Sequence, residues 1–483
     1  MVYEKASDVL TILERAVTHI APNDGGTGGA EITAGRASFT RMEHIVEFGN
    51  GVHVTRTGQD IAAGTAVVYL SPDDKRITTL ELHGNASVAL TPATAGGLQG
   101  FSGRDVTIEY GGDGQGIERA LLNGTAVVSL SSGGGKAGRE IAANALDLHL
   151  AADGATPKVL EARGAVRLVL PAEQSVAMRT VKSDVLSGSG DPDDPGRGLS
   201  RARFGGHVEY REQNGSAERS ATAQQLDVSL KAAMAAFDSA VFTGAARFVD
   251  AKVSGTAAVV AYAVDAGSIA LSGSETASPR PHVSNDQIVV DASTIDVTLA
   301  GPVLAAKGEV KSVLQPPQSG RSDARLPSML KQDQPVNITA DTLAFDGEAN
   351  QARYDGKALL WQSDTSIRAD RIVLDSKTGG IDASGSVLTT TSLDQTDKEK
   401  KKKDRVRSMA SAKRFIYDDS RRRASYSGDV HFSQAENDLA ASTVDLFLKP
   451  GGNELERAEA ADAGGKLVLR EQGRRTSGSR LTY

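Results

Sequence analysis

A small residue followed by apolar residues three, five and seven positions later recurs along the whole chain. Well-formed copies are Ala143 with Leu146, Leu148 and Leu150, and Ala223 with Leu226, Val228 and Leu230. Ala292 leads Ile295, Val297 and Leu299, Ala441 leads Val444, Leu446 and Leu448, and Ala63 and Ala369 open similar runs. Looser copies begin at Ala34, Gly103, Ser183, Ala257, Ala340 and Ala412. Successive starts lie 29 to 48 residues apart, with four consecutive spacings of 40 between residues 63 and 223. Periods of this size mark stacked units that cannot bury an apolar face alone. Alternation at every second residue makes each element a half-buried strand, because only a strand sends successive side chains to opposite faces.

A second series lies between these strands: a glycine shortly before small or β-branched residues. It includes Gly51-Val-His-Val, Gly84-Asn-Ala-Ser-Val, Gly124-Thr-Ala-Val-Val, Gly164-Ala-Val, Gly206-His-Val, Gly308-Glu-Val, Gly385-Ser-Val and Gly428-Asp-Val. Glycine weakens a strand and is kept where the strand bends sharply or another backbone comes close. Each unit is therefore read as two antiparallel strands, each creased near its middle, and the stacked units as a sheet folded into a trough. Turn chemistry agrees, with Ser71-Pro-Asp-Asp, Gly111-Gly-Asp-Gly and Pro450-Gly-Gly-Asn falling between strands.

Composition narrows the chemistry. Hydrophobic residues make up 39% and aromatics 4% of the 483 residues, which suits thin sheets better than a thick core. The formal charge of −7 supplies no cationic field for nucleic acid. With no cysteine, disulfide frameworks, thiolate metal sites and cysteine nucleophiles are excluded. The 8 histidines show neither His-x-His nor His-Glu-x-x-His spacing and read as strand-surface residues. Gly133-Gly-Gly-Lys136 has Leu130 where a phosphate loop needs its first glycine and Ala137 where it needs a hydroxyl. Asp191-Pro-Asp-Asp194 reads as an acidic turn, since no glutamate completes a calcium loop. No catalytic constellation emerges, and neither an enzyme nor a cofactor is expected.

Three segments interrupt the repeats. Gly188 to Gly198 reads as a polar loop, and Gln315 to Pro335, with four prolines, as a linker or long loop. The run DKEKKKKDRVR from Asp397 is too charged to bury. It reads as a solvated hairpin tip or, alternatively, as a site for an anionic partner such as lipid phosphates. The expected organisation is repeats over 1–90, divergent repeats over 91–314, a linker over 315–335 and a module over 336–483. Ala6 to Ile20 has passable helical spacing, but Ala16 to Ile20 also fits a glycine-type strand without its glycine. In that reading the chain begins within a repeat. No run approaches the roughly 18 apolar residues of a membrane helix. Val9 to Leu13 is cut off by Glu14 and Arg15 before a signal sequence's apolar region forms.

The segment from Val336, VNITADTLAFDGEANQARYDGKALLWQSDTSIRADRIVLDSKTGGIDASGSVLTTT, resembles the lipopolysaccharide-transport proteins of the organic-solvent-tolerance (OstA-like) family: LptA, the N-terminal domain of LptD, and their relative LptC. The family's I-x-A-x-x-L-x-Y strand, G-x-V, second I-x-A strand and A-x-G-x-V are matched in order. Ile338, Ala340, Leu343 and Phe345 fill the first, and Gly356 stands at the second. Ile367, Ala369, Ile372 and Leu374 fill the third, followed by Ala383, Gly385 and Val387. A second copy runs from Ala412 through Tyr417, Gly428, Val430, Ala441 and Leu446 to Leu467, and a third from Ile32 to Val88.

The resemblance implies an all-β fold of tandem antiparallel β-jellyroll modules, the folded-sheet trough. It implies a bridge across the periplasm of a Gram-negative envelope that carries lipopolysaccharide or a similar glycolipid with its acyl chains inside. It also implies joining to other Lpt-type β-jellyroll proteins by edge-strand addition. Membrane contact would come only through partners or an N-terminal anchor, and the export signal would lie upstream of this chain. A lipid groove requires the two inner walls to stand apart, since a chain of a dozen carbons needs on the order of 10 kcal/mol of shielding from water. If the walls touch, the protein is instead a structural or adhesive scaffold with a dry core. Candidate lining residues are Leu343, Phe345, Leu359, Trp361, Ile367, Ile372 and Leu374, with Val444, Leu446 and Leu448 in the second copy. Each fits an ordinary sheet core equally well.

Overall fold

The structure, a computed structural model, describes residues 1–483 except 22–28, 57, 92–94, 133–137, 174–175, 252, 274–278, 302, 317–324, 397–402, 451–453, 463, 465–466 and 472. The Gly133-to-Lys136 motif and the centre of the basic run thus lie outside the described residues.

The fold grows from the three-residue step that opens each repeat. In the strand Asn437–Leu448, Leu439, Ala441, Val444, Leu446 and Leu448 are buried, while Ser442 and Thr443 are both exposed. Alternation thus slips once, directly after the small residue, and the strand continues on a second arm with its apolar face still inward. The neighbouring glycine-type strand bends at the same level. In the strand Gln351–Gln362, Gly356 has φ +81° and Lys357 has φ +47°, and this left-handed pair forms a bulge against the single residue Asp370.

A side chain at Gly356 would meet Asp341, whose Cβ lies 2.8 Å from the ideal Cβ position. The opposition repeats: Gly124 faces Arg104, Gly164 faces Asn144, Gly206 faces Asp184, and Gly385 faces Asp370. In every case the facing residue directly follows the small residue that opens a repeat. The two sequence series are therefore the two sides of one crease, with glycine supplying both the left-handed backbone and the missing Cβ.

Among the described residues there is no α-helix, and every paired strand is antiparallel. Two compact units divide the chain: Met1–Ala251 with Ala261–Asp265, and Lys252–Val260 with Ala266–Tyr483. Register pairs carry apolar rows from strand to strand within each. In the second unit one such row runs Leu343, Tyr354, Ile372, Ala383, Phe415, Tyr426, Val444 and Ala460.

Three expectations are corrected. Ala6 to Ile20 is not a helix. Val9–Ile12 and Ala16–Ile20 are separate strands, broken where Arg15 takes φ +51°, and both pair with the strand Ala30–Thr40. Gly188 to Gly198 is not a loop but the end of a long hairpin, in which Asp191 pairs with Asp194 and accepts a hydrogen bond from the Asp193 amide. The segment 315–335 does not divide the sheet. The strands Val303–Leu314 and Val336–Asp346 pair directly, from Val303 with Asp346 to Leu314 with Val336, and the compact units part instead between 251 and 266.

Candidate functional site

The site is the interior between the two arms of each folded sheet. In the second unit one wall carries the row from Leu343 to Ala460, together with Phe345, Ala352, Leu374, Ile381, Tyr417, Ala424, Leu446 and Ala458 in register below it. The other wall carries Ile338, Leu360, Ile367, Thr389, Ala410, Phe432, Leu439 and Leu469. Tyrosines bridge the two. Tyr354 Oη lies 2.8 Å from Ser312 Oγ, and Tyr426 Oη lies 2.9 Å from Thr389 Oγ1. Burial raises both phenols, Tyr426 up to about 12, so they remain neutral hydrogen-bonding groups at ordinary pH. Where these crossbars stand, the walls are one tyrosine apart.

Beyond Tyr426 the walls separate. A cavity of about 520 Å³ opens there, lined by Val444, Leu446, Ala458 and Ala460 from one arm and by Phe432, Leu439 and Leu469 from the other. Glu454, Glu459 and Glu471 stand among its lining residues. A much smaller space, about 80 Å³, lies beneath residues 325–327 against Phe345, Ala352 and Leu374.

The structure thus separates the lining residues expected from sequence. Val444 and Leu446 line the larger cavity, and Phe345 and Leu374 the smaller. Leu343, Ile367, Ile372 and Leu448 are buried on the inner faces. Leu359 and Trp361 do not face the interior. The bulge at Gly356 and Lys357 keeps Tyr354, Ala358, Leu360 and Gln362 inward, so Leu359 and Trp361 fall on the outer face, Trp361 with 36% exposure. Size and apolarity had suggested them; parity across the bulge excludes them. Sequence reasoning missed Tyr354, Tyr426, Phe432 and Leu469. The buried tyrosines sit in register with the apolar positions of their neighbours, and that register was the available signal.

The first unit has its own open end, a cavity of about 560 Å³ between Leu10, Ile12, Phe39, Val46 and Phe48 on one arm and Thr18, Ile20 and Ile32 on the other. Its later repeats are closed. Leu98 N donates to Ala155 O at 2.8 Å, Tyr110 Oη to Gln59 Oε1 at 3.3 Å, and Arg56 to the Gly114 carbonyl, which joins one arm's tips to the other's. Inside, Tyr210 packs on Phe237 and Phe242 from the opposite arm, at 6.1 and 5.6 Å between centroids, with all three rings fully buried.

One rim of these closed repeats carries a buried ionic network. Glu212 accepts from Arg179 Nε at 2.9 Å, Arg219 Nη1 at 3.0 Å, Tyr210 Oη at 2.8 Å and Tyr262 Oη at 3.2 Å, and Arg219 also reaches Asp250. Burial works against the Glu212 carboxylate, but Tyr210 and the two guanidiniums outweigh it and hold its pKa below the ordinary value. Among the described residues no group of three or more His, Asp or Glu side chains is arranged to hold a metal.

The family described as LptA/(LptD N-terminal domain) LPS transport protein matches residues 337–423 and again residues 410–483. The two matches together span residues 337–483, less than a third of the chain. The LptA/LptD-type match covers the crossbar Tyr354, the crossbar Tyr426 and the larger cavity of the second unit. No curated protein matches the chain. Among solved structures, LptH from Pseudomonas aeruginosa, described as the LptA-homologous periplasmic component of the lipopolysaccharide transport device, aligns over 30% of this chain and 94% of its own. The identity is 17% and the TM-score 0.22. Among the described residues no helix is long and apolar enough to cross a membrane.

Proposed function

We propose that the protein binds lipopolysaccharide or a similar glycolipid in the periplasm of a Gram-negative envelope and carries it between membranes, with acyl chains held between the arms and sugars in water. The observation that carries this reading is the cavity of about 520 Å³ in the LptA/LptD-type module, walled by apolar residues of both arms. Its volume falls in the range of about 300–1,000 Å³ usual for small-molecule sites. Joining to other Lpt-type β-jellyroll proteins by strand addition at a sheet edge is part of the same proposal. No catalytic step and no cofactor is part of this function.

A second reading applies to the later repeats of the first unit. Their packed aromatic interior and joined arm tips favour a dry structural spacer there. Photoreactive residues at Leu446 and at Phe242 distinguish the two regions. Lipid carriage predicts lipopolysaccharide adducts at Leu446. Adducts to protein alone at both positions would leave only the scaffold.

A further inference from the structure

The segment from Arg325 to Gln334 lies across the mouth of the second unit's groove, although the sheet does not need it. It starts at the tip of one arm, where Arg325 N donates to Ser376 O at 2.7 Å and Ser328 N to Asp419 Oδ1 at 2.6 Å. Ser328 Oγ also lies 2.8 Å from Tyr417 Oη. It ends at the tip of the other arm. There the Gln362 side chain accepts from Lys331 N at 2.6 Å and donates to Lys331 O and Gln334 O, both at 2.8 Å. Between these anchors Leu326 and Leu330 turn inward, with 8% and 5% exposure. The space left beneath is about 80 Å³, bounded by Leu326 and by Phe345, Ala352 and Leu374 of the wall. At the C-terminal end of the same unit, where this segment does not reach, the cavity is about 520 Å³.

We infer that Arg325 to Gln334 is a built-in occupant of an acyl-chain site, with Leu326 and Leu330 standing where a fatty acyl chain binds. This rests on the lipid-carrying reading above. Two features make the segment displaceable. The strands on either side of it, Val303–Leu314 and Val336–Asp346, pair with each other directly, so lifting it breaks no ladder. Its anchors are hydrogen bonds to a few side chains, chiefly Asp419, Tyr417 and Gln362, and to one carbonyl, and water can satisfy these groups once the segment lifts. Its apolar contacts are of the kind an acyl chain supplies equally well, so the exchange conserves buried hydrocarbon surface. Loading of lipid at this position then opens the mouth over Phe345 and Leu374, and unloading closes it.

The test is hydrogen–deuterium exchange on the full chain with and without purified lipopolysaccharide, beside loading rates for the wild type and for two variants. One variant is L326D/L330D. The other, Gln362→Ala, loosens an anchor from outside the apolar seat and guards against misfolding of the first. Lipopolysaccharide is expected to speed exchange at the Ser328 and Lys331 amides at least tenfold without changing the ladder amides near Ile372. Both variants are expected to load at least about fivefold faster than the wild type. Binding with unchanged exchange at Ser328 and Lys331, or with wild-type loading rates in both variants, overturns the built-in occupant alone. No binding by any form overturns lipid carriage, and this inference with it.

Discussion

Replacing Gly356 with alanine tests the crease directly. Gly356 has φ +81°, where an L-residue is disfavoured by about 1–2 kcal/mol, and alanine recovers about 0.4–1 kcal/mol by restricting the unfolded chain. The new Cβ would also stand 2.8 Å from the Asp341 Cβ, and relieving such overpacking costs about 1–3 kcal/mol. The net expectation is a loss of about 1–5 kcal/mol in the second unit. Gly267 is the control, because it lies in the same unit with φ +59° but has nothing within 4 Å of its ideal Cβ. Gly267→Ala is expected to cost no more than about 1.5 kcal/mol, since only the backbone terms remain. Trp361 is the sole tryptophan and lies in this unit, so its fluorescence in urea follows the transition without interference from the first unit. Equal losses in the two variants would mean that the close approach to Asp341 does not constrain the fold. A Gly356→Ala protein as stable as wild type would refute the crease argument as a whole.

Other expectations concern the interior. Glu212→Gln leaves Arg179 without its buried counter-charge and is expected to destabilise the first unit by about 3–5 kcal/mol near neutral pH. Because the folded pKa of Glu212 lies below its unfolded value of about 4.3, its stabilisation is complete above that value and is lost as pH falls through the folded pKa. The gap between wild type and variant, read from exchange protection around Tyr210, should therefore hold above about pH 4.3 and shrink as pH falls below that value; a gap independent of pH would contradict the assignment. Ile372→Ala, at a fully buried inner position, should cost about 2–5 kcal/mol by Trp361 fluorescence, while Leu359→Ala on the outer face should cost about 1 kcal/mol. Equal costs would mean that the inner and outer faces are assigned wrongly.

The strand repeats and the crease were legible because they rest on local rules. The step of three after Ala143, Ala223 and Ala441 is the slip in alternation that a crease produces, and the glycines mark the facing bulge. Parity beyond the bulge was not legible from apolarity, since Trp361 and Leu359 look like core residues until the Gly356–Lys357 pair is counted. Nor was the state of the interior. Whether walls touch depends on side chains from strands far apart in sequence, as with Tyr354 and Ser312 or Tyr210 and Phe237. The segment Gln315 to Pro335 read as a linker because its prolines and polar residues are poor strand formers. Its role across the groove depends on Leu326, Leu330 and the distant Gln362, which no local pattern connects.

The most direct measurement is the lipid content of the full-length protein purified from the envelope of lipopolysaccharide-producing cells, by mass spectrometry of a solvent extract, beside a Val444→Arg variant that places a charge in the larger cavity. The account predicts lipid A-bearing glycolipid with the wild type and a several-fold loss in the variant. Folded wild-type protein that carries no lipid, or a variant that carries as much as the wild type, would contradict it.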